Sequence, residues 1–434
     1  MQGKLIRKKI GNGAFMNSVT EPKFKSDRIS LCLVTPIKKE TATVNALVPF
    51  VLRKGCRSCP DFTKLNQKLA EMYGAILDAD VAKHSDKQII EVSIQFTDDR
   101  FAIGGENMTE TAAKLLSDIV FEPNFDENGH FPEIDLELER EFLIDTIESD
   151  LNDKRVYAFG KALCLVFENE PFGVKRYGYV EDAKAITADS LAEAWKNLVK
   201  TSRIEVFFAG PGCPEVAEKV FEERISALER EPLSSEPFEI IDYSPFKEAE
   251  ESMDIVQGKL VMVFRMGAPK TEKEKNAARV LSALYGGTAF SKLFMNVREK
   301  MSLCYYADSH FERGSGIMIV DCGIEFENRE KAQKEIINQL ELVAKGEFTD
   351  EEFADTKGAI LNSLGSVGDT LYSVEGWYMS GIVEENIITP EEDKKAIEAV
   401  TKEEVMKAAE KAKLAAVFFL KGASCIIKSV DVEN

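Results

Sequence analysis

The feature that most restricts the fold of this chain is an internal repeat. Five segments of the first half recur in the same order in the second half, and Gly55 aligns with Gly286. The matched pairs are 45–55 with 276–287, 93–99 with 323–329, 131–151 with 348–367, 185–199 with 399–413, and 204–210 with 415–422. The separation between matched segments shortens along the chain, which indicates short deletions in the loops of the second half. A duplicated sequence predicts two units of the same architecture.

Each half has the same predicted order of elements: a strand, a long helix, a glycine turn, a helix, two strands, several helices and a final strand. The segments 87–96 and 315–326 combine alternation with β-branched residues, as sheet strands do. Two threonine–glutamate pairs, one beginning at Thr349 and one at Thr401, have the spacing of helix-capping boxes. We therefore predict the α+β class, with helices packed on a mainly antiparallel sheet in each half.

The boundary between the halves is predicted from composition. The stretch 228–256 is rich in proline, serine and glutamate. It predicts a linker between an N-terminal domain, residues 1–227, and a C-terminal domain, residues 257–434. A length of 434 residues agrees with at least two domains.

Charge and hydropathy restrict the location and the partners of the protein. The formal net charge of −20 argues against a nucleic-acid-binding surface, which needs clustered lysine and arginine. No apolar run approaches the roughly 18 residues of a membrane span, and the basic N-terminus lacks the apolar core of a signal peptide. We therefore expect a cytoplasmic protein that binds neither nucleic acid nor membrane and keeps its eight cysteines reduced.

Cys56 and Cys59 form a CxxC motif in the sequence GCRSCP. A zinc ribbon needs a second such motif, and the sequence has none. A redox dithiol normally opens a helix after a strand, whereas this pair follows a predicted helix. We interpret the pair as two small residues in a loop, and a redox or metal role is the alternative.

The stretch 291–306 reads as an amphipathic helix that runs into a strand. Its apolar residues share one helical face, with spacing i, i+3, i+4 and i+7: Phe290, Leu293, Phe294 and Val297. Arg298 lies at the flank of this face, and Tyr305 follows seven residues later. From the residues alone, Arg298 lays its stem along the helix, and Tyr305 and Tyr306 are ordinary strand residues, one facing inward and one outward.

The duplication, the glycine pair and the runs SKLF and VREKMSLCYY together resemble the M16 metallopeptidases, the family of pitrilysin and the mitochondrial processing peptidase. The resemblance covers nearly the whole chain and implies two LuxS/metallohydrolase-like domains in a clamshell arrangement. The family pattern R-E-x-x-G-L-x-Y falls on Arg298 and Tyr305, with Ser302 in place of the glycine. In the family these side chains bind the scissile carbonyl and its oxyanion, and Gly286 and Gly287 border the substrate chamber. From the residues alone, the two glycines are a helix C-cap and turn.

The zinc motif that the resemblance implies is missing. In the family, H-x-x-E-H on the first long helix supplies two zinc ligands and the general base. The corresponding positions 46–50 read ALVPF, so Ala46 and Phe50 replace the histidines and Pro49 replaces the base. Asp145 and Thr146 stand where the third ligand is expected. The three histidines, His84, His130 and His310, lack helical ligand spacing. We therefore expect no bound metal and no cofactor.

The resemblance implies that this chain is the non-zinc subunit of a split M16 peptidase. It would bind peptide substrate and complete the site of a zinc-bearing H-x-x-E-H partner in a heterodimer, or it would form a homodimer. An assembly subunit without any role in proteolysis is the second hypothesis, since fold alone does not fix function. Within the family, the chain resembles a Firmicute M16-like group that is named for 5-aminopentanol modification of elongation factor P. The resemblance depends on the run RKG…YGA and on the lost zinc motif.

Overall fold

The computed structural model of the chain describes residues 3–168, 170–234 and 239–422. Residues 235–238 of the predicted linker, and residues 423–434 of the predicted C-terminal domain, lie outside the described residues. Within the described ranges, no helix combines the length and the apolar composition that crossing a membrane requires.

Both halves contain the order of elements that the repeat predicts, with two further strands and one further helix in the first half and one further strand in the second half. The strands are β1 Ile6–Gly11, β2 Ala14–Thr20, β3 Ser26–Pro36, β4 Ile76–His84, β5 Lys87–Thr97, β6 Arg203–Gly210, β7 Lys247–Met253, β8 Gly258–Arg265, β9 Cys304–Glu312, β10 Ile317–Ile324 and β11 Lys413–Gly422. The α-helices are α1 Lys39–Leu52, α2 Phe62–Glu71, α3 Met108–Phe121, α4 Glu133–Asn152, α5 Lys154–Val166, α6 Val180–Lys184, α7 Ala188–Thr201, α8 Pro214–Ser226, α9 Glu272–Tyr285, α10 Arg329–Ala344, α11 Asp350–Gly365, α12 Leu371–Val383, α13 Pro390–Glu398 and α14 Lys402–Lys411. A π-helix, Leu293–Lys300, lies between α9 and β9.

The chain forms two compact units, and each unit is discontinuous in sequence. Unit 1 consists of Met1–Asp150, Asn169–Phe238 and Ser363–Asp393, and unit 2 consists of Leu151–Glu168, Glu239–Asn362 and Lys394–Asn434. Helix α5 of the first half therefore belongs to unit 2, and helix α12 of the second half belongs to unit 1. The predicted linker contains a strand, β7, at residues 247–253.

The two sheets share one topology over five strands. Unit 1 has the order β1-β2-β6-β3-β5-β4, and unit 2 has the order β7-β11-β8-β10-β9. In both units one pair is parallel, β2 with β6 in unit 1 and β7 with β11 in unit 2, and the remaining pairs are antiparallel. The predicted α+β class, with a mainly antiparallel sheet in each half, is confirmed.

The sheet of unit 1 is covered on both faces. Ile29, Leu31 and Leu33 of β3 face a core that includes residues of α1, α3 and α7. The alternate residue Cys32 faces a second cluster that contains Val374 and other residues of α12. Because β3 is covered on both sides, it is buried almost throughout rather than alternating with exposed residues.

An ion-pair network lies beneath α12. The buried Arg28 guanidinium donates to Glu375 of α12 at 2.5 Å and to Glu91 of β5 at 2.6 Å, and the Ser30 hydroxyl also donates to Glu375. Burial, followed by the charge of Glu375, raises the pKa of the Glu91 carboxyl to about 8. A buried acid on the helix is therefore matched by an arginine on the sheet.

In unit 2 the charges are reversed between the sheet and α5, the helix that this unit receives from the first half of the chain. Helix α5 packs on β7, β8 and β11. Its Arg155 pairs with Asp321 of β10 and Asp308 of β9, and its Lys161 pairs with Glu251 of β7. Here the helix supplies the cations and the sheet supplies the carboxylates.

Candidate functional site

Arg298 lies on the π-helix of unit 2. Leu293 and Val297 of this helix are fully buried, while the Arg298 side chain is 39% exposed. Its guanidinium carbon lies 4.5 Å from the centroid of the Phe294 ring, and its Nε lies 3.6 Å from Oε1 of Glu299. The predicted helix is thus present but wider than an α-helix. Phe290, which was expected on the buried face, precedes the helix and is exposed.

Ser302 has a left-handed backbone conformation, with φ of 51°. Its N–H donates to the carbonyl of Arg298 at 3.0 Å, so this turn closes the π-helix and sets the path into β9. L-residues avoid this region because Cβ approaches the backbone, whereas glycine enters it freely. The family pattern has glycine at this position, and the left-handed conformation is a reason for that glycine. Ser302 adopts the same conformation without the freedom of glycine.

We expect Ser302→Gly to stabilise unit 2. The left-handed conformation costs an L-residue roughly 1–2 kcal/mol, and the greater chain entropy of glycine offsets roughly 0.5–1 kcal/mol of that gain. The net increase in the free energy of unfolding should be about 0.5–1 kcal/mol, measured by calorimetry. Ser302→Ala is the matched control and should give no increase, because alanine suffers the same steric penalty; an equal gain from alanine would contradict this explanation.

Tyr305 is the extra residue of a β-bulge. In the register of β9 with β10, Tyr306 faces Gly323 and Cys304 faces Ile324, so Tyr305 has no partner of its own. Its side chain is 56% exposed, and its hydroxyl donates to the carboxylate of Glu325. This hydrogen bond raises the pKa of the Tyr305 phenol. Bulges re-aim side chains, and here the bulge directs a phenol outward from an edge strand.

Tyr306 is less exposed than its neighbour, as the inward–outward interpretation predicts. The Arg155 guanidinium carbon lies 4.6 Å from its ring centroid, and Nζ of Lys259 lies 5.2 Å from the same point. Burial raises the pKa of the Tyr306 phenol. Tyr306 therefore packs among cationic side chains, while Tyr305 presents its hydroxyl near the surface.

Gly286 and Gly287 lie at the C-terminal end of α9, where Gly286 is the C-cap. A Cβ on Gly286 would lie 2.6 Å from Cβ of Ser309 on β9, and a Cβ on Gly287 would lie 2.9 Å from Cα of Ala283. Their backbones do not need a positive φ, so the requirement for glycine is close packing. Gly286 thus lets the end of α9 approach β9, the strand that carries Tyr305, whereas Gly287 lets the chain turn back closely over α9.

The positions of the lost zinc motif lie in α1 of unit 1. Ala46, Pro49 and Phe50 are all buried, and none of them has a side-chain donor atom for a metal. The Phe50 ring packs edge-on against Phe142 of α4, with 5.3 Å between the centroids. The Arg53 guanidinium carbon lies within 5.2 Å of both ring centroids. An aromatic pair fills the space beside the positions where the family binds zinc.

The position of the third ligand keeps one carboxylate, that of Asp145, but Asp145 belongs to no group of clustered ligand atoms in the described part of the chain. Asp145 is exposed on α4, and the Thr146 hydroxyl donates to the carbonyl of Phe142 at 2.7 Å. In the described parts of the chain, one group has ligand atoms close enough for a metal ion: Cys32, Glu91 and Glu375. Since Arg28 donates to both of these carboxylates, a cation would have to displace a buried guanidinium. This group is an internal ion-pair network.

We expect the purified protein to contain far less than one zinc ion per chain. The reason is the loss of every donor atom at Ala46, Pro49 and Phe50. Elemental analysis after mild chelator treatment measures the metal content. A value near one zinc per chain would contradict this prediction and would direct attention to the cysteines.

Two partners of the candidate residues were missed by sequence reasoning. Phe294 was assigned only to the core face, yet its spacing of i−4 from Arg298 indicates a helical neighbour. Glu325 lies in a repeated segment, but its contact with Tyr305 depends on the bulge, which local sequence does not reveal. Arg298, Tyr305 and the glycine pair all lie on or beside β9, whereas the degenerate zinc positions belong to unit 1.

Comparison of the sequence with known proteins finds relatives that resemble inactive M16 peptidases. The family model described as "Peptidase M16 inactive domain" matches residues 185–360. The Bacillus subtilis (strain 168) protein called "Probable inactive metalloprotease YmfF" is 29% identical over 410 residues, which cover 94% of this chain and 96% of that protein.

Solved structures show the same fold. A conserved protein from Enterococcus faecalis V583 is 26% identical, has a TM-score of 0.87, and is matched over 96% of this chain and 99% of that chain. A Helicobacter pylori protease is 15% identical, with a TM-score of 0.81 and coverage of 96% and 100%. A Pseudomonas fluorescens peptidase M16 inactive domain is 16% identical, with a TM-score of 0.78 and coverage of 97% and 98%. By sequence and by fold the chain is therefore similar to the M16 peptidases, and its positions 46–50 lack the histidines and the glutamate of the zinc motif of that family.

Proposed function

We propose that this protein is the non-zinc subunit of a cytoplasmic heteromeric M16 peptidase. In this proposal Arg298 and Tyr305 bind the substrate peptide and complete the site of a zinc-bearing partner. The observation that carries the proposal is the set of backbone irregularities within residues 293–305: a π-helix, a left-handed serine and a bulge.

These irregularities cost free energy, and regular packing does not need them. π-Helical turns, bulges and left-handed non-glycine residues are each found disproportionately at functional sites. Here all of them lie on the segment that orients Arg298 and Tyr305. If these two residues only filled space, a regular helix and an unbulged strand would serve.

The chemistry of the two side chains suits a peptide carbonyl. Arginine offers several N–H donors with a permanent positive charge. A tyrosine hydroxyl can donate to the oxyanion that develops when zinc-bound water attacks the carbonyl. In the free protein the Tyr305 hydroxyl donates to Glu325, Tyr305 is exposed, and Arg298 is partly exposed. Peptide binding would replace this hydrogen bond with one to the carbonyl oxygen.

Mixing experiments test the assignment of the subunit. The chain alone should cleave no peptide, because it has no metal site or general base at positions 46–50. An M16 protein from the same cell that carries H-x-x-E-H should copurify with it, and the mixture should cleave peptides faster than either protein. Failure of that partner to bind, or equal cleavage by the partner alone, would reject the proposal.

An assembly subunit is the second candidate function. It is favoured by the internal partners of both residues, since Arg298 packs on Phe294 and Tyr305 is bonded to Glu325. In that case the chain would bind its partner without changing the rate of peptide cleavage. The mixing experiment therefore separates the two functions.

A further inference from the structure

Cys56 and Cys59 face each other across a tight turn that follows α1. The N–H of Cys56 donates to the carbonyl of Cys59 at 2.8 Å, and the N–H of Cys59 donates to the carbonyl of Cys56 at 2.9 Å. This reciprocal pattern defines a hydrogen-bonded antiparallel pair, whose Cα atoms lie about 5.5 Å apart. That separation falls within the roughly 4.4–6.8 Å range of disulfide bonds.

The turn is held in place from several directions. A Cβ on Gly55 would lie 2.9 Å from the carbonyl oxygen of Cys59, so glycine is needed for the chain to close here. The N–H of Arg57 donates to the carbonyl of Glu122 at 2.9 Å, and the Ser58 hydroxyl donates to Asp118 at 2.9 Å. The two cysteines are therefore preorganised, and pairing them needs no large backbone movement.

Both side chains point inward from an exposed turn. Cys56 is fully buried and Cys59 is 7% exposed, whereas Arg57 and Ser58 between them are exposed. Burial raises the pKa of the Cys59 thiol, and the charge and hydrogen bonding of the Cys56 thiol raise it further. A catalytic dithiol needs a lowered pKa. The pair is therefore unsuited to a disulfide oxidoreductase, but its two thiols are neighbours.

We propose that Cys56 and Cys59 are a modification site at which a reversible intramolecular disulfide forms when the surrounding thiol pool becomes oxidised. The oxidant is a small-molecule disulfide such as oxidised glutathione. One cysteine thiolate attacks that disulfide, forms a mixed disulfide and releases one glutathione thiolate. The second cysteine then attacks the protein-bound sulfur and releases the other. The protein loses two S–H hydrogens, and two molecules of reduced glutathione form.

The short loop makes the bond suitable for reversal. A disulfide stabilises a fold mainly by closing a long loop in the unfolded chain, and this one encloses only Arg57 and Ser58. It therefore contributes little to the free energy of unfolding, so neither the reduced nor the oxidised form is strongly favoured by the fold. Its effect is local: it fixes the turn that follows Arg53 and Lys54, whose side chains hold Glu139 of α4.

The sequence supplies a sharp assay. Trypsin cleaves after Lys54, Arg57 and Lys64, so it separates the cysteines into the peptides GCR and SCPDFTK. The full-length protein is equilibrated in glutathione buffers of increasing oxidation, starting from both the reduced and the oxidised protein. Free thiols are then alkylated before digestion and mass spectrometry. In oxidising buffer the two peptides should be replaced by one linked species, which a reductant separates again.

Matched variants identify the pair. Cys56→Ser and Cys59→Ser should each abolish the linked species, and Cys213→Ser should leave it unchanged, because Cys213 is an exposed cysteine elsewhere in unit 1. The proposal is overturned if the most oxidising buffer yields only free thiols, only glutathione adducts, or Cys59 linked to a different cysteine. Because the readout is a covalent bond, it does not depend on peptidase activity.

Discussion

Tyr305→Phe should lower the turnover of the reconstituted peptidase by a factor of roughly 10²–10³, the usual loss when one oxyanion donor is removed. The substitution deletes the hydroxyl and keeps the ring, so the bulge and the strand should be unaffected. Arg298→Ala should lower turnover too and should also raise KM, because it removes a charged donor to the peptide. Both variants should still bind the partner subunit, which is measured separately by copurification.

Tyr306→Phe is the matched control for this experiment. Within the described structure the buried Tyr306 hydroxyl has no hydrogen-bond partner, and Tyr306 precedes Ala307 on the same strand. Its removal should leave turnover unchanged. If Tyr305→Phe and Arg298→Ala also leave turnover unchanged, the two residues are structural and the assembly function is favoured. If Tyr306→Phe is as damaging as Tyr305→Phe, the effect belongs to the strand and not to the exposed phenol.

Arg28→Met should lower the free energy of unfolding of unit 1 by about 3–5 kcal/mol, because it leaves a buried carboxylate without its cation. The side chains of Arg28 and Glu375 are 9% and 5% exposed, so solvent screens the pair little. Both tryptophans of the chain, Trp195 and Trp377, lie in unit 1, and their fluorescence therefore reports its unfolding in urea.

The double variant Arg28→Met with Glu375→Gln tests the cause of that loss. Removing both charges should recover much of the stability, since neither buried charge is then left alone. A double variant as unstable as Arg28→Met would show that packing of the arginine stem, and not charge, is responsible.

The pH dependence of unit 1 follows from the same network. The pKa of Glu91 rises from 4.5 to about 8 on folding, so the folded state binds the proton more tightly. The resulting stabilisation is fully present below pH 4.5 and is lost as the pH rises to about 8. Glu91→Gln should reduce the dependence of the free energy of unfolding on pH, measured by urea titrations at several pH values. A slope that survives the substitution would assign the proton to another group.

Much of the fold could be predicted because it is encoded by local patterns. The repeat, the strand alternation and the capping threonines each depend on residues close in sequence, and they gave the α+β class with two similar sheets. The absence of histidine and glutamate at positions 46–50 can be read directly from the sequence because the motif is contiguous, and the absence of a bound metal stays a prediction. The domain boundaries and the roles of Arg298 and Tyr305 stay predictions.

Features that depend on distant residues could not be predicted. Arg28 and Glu375 are 347 positions apart, and nothing in the pattern of α12 indicates which sheet it covers. The bulge at Tyr305 depends on its register with β10, and a π-helix has the same apolar spacing in sequence as an irregular α-helix. The candidate residues could be named from the sequence, but the backbone that orients them could not.

The exchange of α5 and α12 has a consequence for each half of the chain taken alone. The first half gives α5 to unit 2, and the second half gives α12 to unit 1. Neither half of the sequence therefore contains a complete structural unit. A protein made of one half alone would need a second copy to supply the missing helix, as domain-swapped dimers do. The ion pairs also make the two helices unequal. Glu375 on α12 meets the cation Arg28, whereas Arg155 on α5 meets the carboxylate of Asp321, so each helix carries the charge that suits the sheet it covers.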